Sequence, residues 1–377
     1  MTRLLVFFAV IVVMFALLRA PSPPPQPEVD PAVCAGPPLR TPQAREDAME
    51  KGYMIDRRYD CIERQSWEAV NAQQQAWEKQ RAQTLASERK RLAEAGHTTF
   101  AQARHGFETT VAIHDEHSIP LPQPPARLFV RSDYKNPQNY MLPGFVSPDP
   151  GDGQRHPAII WLTGGDSNSL SDFWTPGPDQ NDQSARAFRE AGLIMAFPTL
   201  RGGNGQRSPK QAMLGEVDDV LAAAAQLARL SYVDPERIYL GGHSTGATLA
   251  LLTAEMKTPF KAVFALGPVT RVERYPASLL GVDFAQLAPM ESKLRSPIHW
   301  LDGIAQPTYV IEGSEPPGNA TELDALCAAS RNPMLHCIRV PGADHFSAIR
   351  PVTRLIAGKL ATDSNEALSL QPEEFLP

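Results

Sequence analysis

The feature that most constrains the fold is a serine set between glycines, at a point where a strand turns directly into a helix. The segment RIYLGGHSTGATLALLTA places Gly242, Ser244 and Gly246 between a β-branched, aromatic run and an alanine- and leucine-rich stretch. A turn this tight forces the serine into a strained backbone conformation, and small residues two positions to either side allow it to close. The pattern predicts a parallel sheet with Ser244 exposed as a nucleophile at the carboxyl end of a strand.

Short β-rich runs alternate with helical stretches from residue 119 to residue 363. This alternation is typical of an α/β domain whose sheet carries helices on both faces. We therefore predict an eight-stranded, mostly parallel sheet, followed by a C-terminal tail over residues 364–377. The candidate strands are residues 127–134, 142–146, 158–162, 193–197, 238–241, 262–266, 309–311 and 337–340.

An unbroken apolar run over residues 4–18 follows Arg3, which is typical of an export signal. Residues 1–20 are therefore predicted to be a signal peptide or a signal anchor. The run spans about 22 Å as a helix, less than the ~30 Å hydrocarbon core, which favours a cleaved signal and a secreted protein. Pro21 after a poor cleavage site favours an uncleaved, single-pass membrane anchor that faces the periplasmic or extracytoplasmic side. Both alternatives stay open.

The region between this run and the α/β domain divides into two parts. Residues 21–42 are proline-rich and predict an extended linker. Residues 43–118 are rich in helix-forming residues and predict a helical N-terminal segment, which could bind a protein partner or simply pack as an appendage. Four cysteines suit an exported protein, and the economical disulfide pairs are Cys34 with Cys61 and Cys327 with Cys337.

Charge and metal-ligand spacing exclude two classes of function. A net charge of −6 and the absence of a basic, aromatic-interleaved stripe argue against nucleic-acid binding. The acidic and histidine residues at 114–117 are neighbours on a short proline-flanked loop, and such neighbours rarely converge on one ion. We predict no metal and no organic cofactor.

The other catalytic groups are predicted from their places after strands. His345, in RVPGADHFSAIRP, follows the last strand and precedes the last helix, so it is the candidate general base. The main-chain N–H of Thr245 is one candidate donor to an oxyanion. That of Gly165, in the loop WLTGGDS, is the second, with the N–H of Asp166 as the alternative. His243 is expected to point away from Ser244 and to pack.

Residues 120–362 resemble the catalytic domain of the prolyl oligopeptidase family and related acyl-peptidase-like esterases, which have the α/β-hydrolase fold. The motifs that carry the resemblance are FPTLRGGNG, GEVDDVLAAAAQL, VDPERIYLGGHSTG, LRSPIHWLDGIAQP and GADHF. The resemblance implies a serine hydrolase with Ser244 as nucleophile and His345 as base. Pro316 stands where the family places the triad aspartate, so Glu315 is the expected acid and Glu312 the alternative. The N-terminal segment is too short for the family's β-propeller.

The sequence therefore predicts cleavage of an ester or peptide bond in a small-molecule or peptide substrate, through an acyl-enzyme on Ser244. Residues 271–304 are expected to form a small helical cap over the pocket. The alternative function is a catalytically silent α/β-hydrolase scaffold that binds a partner at the membrane.

Overall fold

A computed structural model describes residues 53–55, 61–63, 98–114, 119–362 and 369–375. The chain divides into two compact units, residues 1–84 and 85–377. In the first unit, strand β1 (Tyr53–Ile55) pairs antiparallel with strand β2 (Cys61–Glu63). The prediction of helix was wrong for these six residues, because tyrosine and isoleucine favour strands locally even where the surrounding composition favours helix.

The second unit begins before the predicted domain boundary at residue 119. Helix α1 (Phe100–Arg104) opens with a capping box in which Thr99 and Gln102 exchange hydrogen bonds. Phe100 is fully buried, with its ring 5.6 Å from that of Trp300. Residues from 98 onward therefore pack as part of the α/β unit.

The strands of this unit are β3 Val130–Arg131, β4 Tyr134–Lys135, β5 Met141–Leu142, β6 Gly144–Val146, β7 His156–Leu162, β8 Ile194–Pro198, β9 Val233–His243, β10 Val263–Leu266, β11 Thr308–Gly313 and β12 Leu335–Val340. Eight of them form the central sheet, in the order β12-β11-β10-β9-β7-β8-β6-β3. The pairs from β12 to β8 are parallel, and β6 and β3 add antiparallel at one edge. The predicted fold, a mostly parallel α/β-hydrolase sheet, is confirmed.

Helices connect these strands, and the stretch predicted as a cap consists of short helical turns. The α-helices after α1 are α2 Ala187–Glu190, α3 Glu216–Leu227, α4 Thr245–Ala254, α5 Ala277–Leu280, α6 Pro289–Lys293, α7 Ala320–Ala329 and α8 Ile349–Thr362. The 3-10 helices are Gly203–Gly205, Val272–Arg274, Phe284–Gln286, Pro297–His299, Leu301–Gly303 and Pro372–Phe375.

The core lies on both faces of the sheet. Residues 157–162 of β7 and all ten residues of α4 are buried, which explains the unbroken apolar run in β7 and the absence of charged residues from α4. Helix α8 instead buries one stripe, formed by Ile349, Val352, Ile356 and Leu360, at the spacing of one helix face. Leu370 from the C-terminal tail also joins this core.

A disulfide joins Cys327 of α7 to Cys337 of β12, which confirms that predicted pair. The side chains of the other predicted pair, Cys34 and Cys61, lie outside the described residues. The same is true of the predicted signal or anchor at 1–20 and the linker at 21–42. Within the described residues, no helix is both long enough and apolar enough to cross a membrane.

Candidate active site

Ser244 lies at the turn between β9 and α4 with φ 56° and ψ −116°. Its N–H donates to the carbonyl of Leu266 at 2.8 Å, so the end of the neighbouring strand holds the turn. The flanking glycines are required for space: a Cβ on Gly242 would lie 2.5 Å from the carbonyl oxygen of Gly246, and one on Gly246 would overlap the carbonyl oxygen of Leu162. The strained serine is the conformation expected of a nucleophile elbow.

His345 lies in the loop between β12 and α8, and its Nδ1 is 2.8 Å from Oε2 of Glu312. Glu312 is buried near the end of β11 and also accepts the N–H groups of Gly313 at 2.8 Å and Asn319 at 3.2 Å. Because a carboxylate can only accept, Nδ1 carries the proton and Nε2 is left as the acceptor. This is the tautomer that a general base requires.

The sequence predicts Glu315 as the acid beside His345 and Glu312 as the alternative, but the geometry favours Glu312. Glu315 is exposed and its carboxylate accepts the hydroxyl of Ser314 at 3.1 Å. Its main-chain N–H donates to Ala343 at 2.9 Å. The strand delivers Glu312 to the imidazole, whereas the following turn carries the side chain of Glu315 to the surface.

Gly267 lies against His345 and directly follows the residue that holds the Ser244 turn. Leu266 accepts the Ser244 N–H, and the next residue, Gly267, has φ +74° and lies directly against the imidazole of His345. A Cβ on Gly267 would overlap Cε1 of His345 and would lie 2.6 Å from Nδ1 and 2.7 Å from Oε2 of Glu312. Ser244, His345 and Glu312 therefore converge on one carboxyl edge of the sheet.

The loop after β7 lies on the other side of the serine. A Cβ on Gly164 would be 3.2 Å from Cβ of Ser244, and the hydroxyl of Thr245 donates to the carbonyl of Gly165 at 2.8 Å. Among the described residues, no hydrogen bond uses the main-chain N–H of Gly165 or of Thr245. Both groups are free to donate, and that of Thr245 also lies at the positive end of the α4 dipole.

His243 contacts His345, a relation that the sequence prediction of simple packing missed. Its Nε2 lies 3.0 Å from the carbonyl oxygen of His345, its Nδ1 lies 3.0 Å from Nε2 of Gln183, and the two imidazole centroids are 4.4 Å apart. Burial, with a smaller effect of the neighbouring His345, lowers the pKa of His243 to about 3. Nothing in the sequence indicates the contact between Gln183 and His243, because Gln183 lies in a loop 60 residues earlier in the chain.

The described residues contain no group of three or more histidine, cysteine, aspartate or glutamate side chains placed to hold a metal ion. Of the histidine and acidic cluster at 114–117, only His114 belongs to the described part of the chain.

Comparisons with known proteins give one sequence match and several similar structures. A model of the prolyl oligopeptidase family matches residues 180–300. No curated protein matches the chain.

Several solved structures are similar to part of this chain at low sequence identity. A prolyl endopeptidase is 19% identical with a TM-score of 0.48, over 63% of this chain and 39% of its own. A puromycin-hydrolyzing peptidase from Mycobacterium tuberculosis is 18% identical with a TM-score of 0.49, over 63% of this chain and 40% of its own. The 2,6-dihydroxy-pseudo-oxynicotine hydrolase is 18% identical with a TM-score of 0.46, over 63% of this chain and 68% of its own.

The family match covers β9, the serine turn and α4, and these are the elements that place Ser244 at the edge of the sheet. It also covers the loop of Gln183 and most of the short helices that follow β10. Residues 180–300, which include these elements, are therefore similar to the prolyl oligopeptidase family.

Proposed function

We propose that this chain cleaves an ester or a peptide bond through an acyl-enzyme formed on Ser244. The Ser244 hydroxyl attacks the substrate carbonyl carbon while Nε2 of His345 accepts its proton. The protonated imidazole then donates that proton to the leaving oxygen or nitrogen. A water molecule repeats the sequence on the acyl-enzyme, with His345 again taking and returning a proton, and this step restores the free serine.

The remaining groups stabilise charge during these steps. The N–H groups of Thr245 and Gly165 are the proposed donors to the oxyanion of the tetrahedral intermediate. Glu312, which takes the place first assigned to Glu315, is the proposed acid that orients His345 and stabilises its protonated form.

The convergence of three groups on Gly267 is the observation that supports this function. A silent scaffold would be favoured if no carboxylate were available to the base, since the family aspartate is replaced by Pro316. The 2.8 Å contact between Glu312 and His345 fills that role, so the absence of the aspartate does not argue for a silent scaffold.

A fluorophosphonate probe tests the proposed nucleophile directly, because it phosphonylates only an activated serine. We expect the folded wild-type chain to be labelled, and the Ser244→Ala and His345→Ala variants to remain unlabelled. Ser314→Ala is a matched control at a serine that lies outside the triad, and it should label as the wild type does. A folded wild-type chain that does not react would remove the hydrolase proposal.

The substrate class is proposed as an ester or small acyl compound, with short peptides as the other possibility. Residues 271–304, built from short helical turns, are the proposed cap that selects among them. Profiling esters and peptide amides with the same acyl group separates the two classes, since only the leaving group then differs. A preference for peptides in kcat/KM would overturn the proposed order.

Export and membrane attachment through residues 4–18 are also proposed, on the sequence pattern alone. Fractionation of cells that express the full chain, followed by a carbonate wash, distinguishes an integral anchor from a cleaved signal. A protein partner of residues 43–118 is a further proposal, and cross-linking of the full chain tests it.

A further inference from the structure

Two hydrogen bonds tie His243 to the loop that carries the general base. The carbonyl oxygen of His345 can only accept, so the Nε2 of His243 must carry the proton in their 3.0 Å contact. The Nδ1 of His243 is then an acceptor, which suits the amide N–H₂ group of Gln183 at 3.0 Å. The same amide nitrogen donates to Oδ1 of Asn181 at 2.8 Å, so both of its hydrogens are used.

The loop that supplies Gln183 is itself fixed to the helix that follows the base. Arg350, in the first turn of α8, contacts Asp179 at 2.7 Å and Asp182 at 3.2 Å. Gln183 therefore presents its amide directly after a segment that is tied to α8 at two residues. Neither Gln183 nor His243 has a direct place in the proposed chemical steps.

We infer that His243 is a positioning residue for the reaction proposed above, which holds the main chain of His345 so that its imidazole stays between Ser244 and Glu312. Gln183 selects the required tautomer by donating to Nδ1. The serine turn and the base loop are thereby joined by a side chain adjacent to the nucleophile. A displacement of the imidazole by about 1 Å costs roughly 100-fold in rate, so loss of this tie should appear in kcat more than in KM.

The test compares two substitutions at His243, by side chains of equal length, in the full chain. His243→Gln places an amide N–H₂ near the former Nε2 and can still donate to the His345 carbonyl. His243→Met has the same reach but no donor. His105→Gln, at an exposed position, is the control for replacing a histidine. For each protein we would measure kcat and KM on a small ester, the rate of fluorophosphonate labelling and Tm.

We expect His243→Met to lose roughly 100-fold in kcat and in labelling rate with little change in KM, while His243→Gln stays close to the wild type. Equal losses in the two variants, or wild-type kcat in His243→Met, would overturn the inference. If His243→Met does not fold, nitrogen NMR of wild-type His243 still decides, because a proton found on Nδ1 instead of Nε2 removes the proposed tie. The two proposals can fail separately. If the probe does not label the wild-type chain but the proton is found on Nε2 of His243, the hydrolase function is contradicted and the contact between His243 and His345 is not.

Discussion

Replacing Glu312 and Glu315 one at a time by glutamine tests which of the two candidate acids orients His345. In Glu312→Gln, the amide oxygen can still accept Nδ1–H of His345 only if its N–H₂ group turns toward the N–H of Gly313, which now donates to Oε1 at 2.8 Å. That orientation preserves the tautomer but removes the negative charge, a loss of up to about 3 kcal/mol, or roughly 100-fold in kcat. The opposite orientation also disfavours the reactive tautomer, for which a loss of ~10⁴-fold is known in serine-protease triads.

We therefore expect Glu312→Gln to lower kcat on a small ester by between roughly 10²-fold and 10⁴-fold, with KM little changed. Glu315→Gln is the matched control, because the side chain of Glu315 is exposed and, among the described residues, its carboxylate accepts a hydrogen bond only from the Ser314 hydroxyl in the same turn. The assay is steady-state kinetics on both variants, with Tm as the check on folding. A folded Glu312→Gln protein with wild-type kcat, or a large loss in Glu315→Gln, would refute the assignment of Glu312.

Three further changes have distinct expected outcomes. Gly267→Ala should abolish ester turnover, because the added Cβ would overlap His345. Gly192→Ala is the control, since Gly192 also has a positive φ but has no neighbour within 4 Å of an added Cβ. It should lower the free energy of unfolding by about 1–2 kcal/mol and leave ester turnover unchanged. Cys327→Ser opens a disulfide that spans 10 residues, so denaturant unfolding should show a loss of roughly 2–3 kcal/mol with kcat unchanged. Because burial lowers the pKa of His243 to about 3, its neutral form contributes stability above pH ~6.5 that is lost as the pH falls through the folded pKa. The unfolding free energy of the wild type should therefore fall about 1.4 kcal/mol per pH unit more steeply than that of His243→Gln between roughly pH 6 and pH 4, and equal slopes would contradict this.

The central sheet could be predicted because most of its parallel strands contain a continuous apolar run, as burial on both faces requires. The prediction is least accurate at the antiparallel edge. There the predicted strands 127–134 and 142–146 correspond to β3 and β6 together with a separate hairpin formed by β4 and β5. Pro143 separates β5 from β6 and has no N–H for a ladder, so one long strand cannot form.

The contact between Gln183 and His243 could not be predicted, because it depends on how a long loop returns to the sheet edge. The helical N-terminal prediction failed at β1 and β2 for a different reason. Averaging helix propensity over residues 43–118 hides the two three-residue segments that form β1 and β2, because each contains residues that favour strands.

The sequence alone favours the wrong glutamate for the contact with His345, yet the register of the sheet explains why Glu312, the proposed acid, lies there. Leu266 lies opposite Ile311, so the next residues, Gly267 and Glu312, are neighbours at the end of β10 and β11. A glycine at 267 leaves the space in which the Glu312 carboxylate and the imidazole meet. The sequence does carry one signal for this: Glu312 is the single ionisable carboxylate in the apolar strand TYVIEG, and a buried carboxylate is stable only with partners. An acid within a buried strand should therefore rank above one in the exposed turn that follows it.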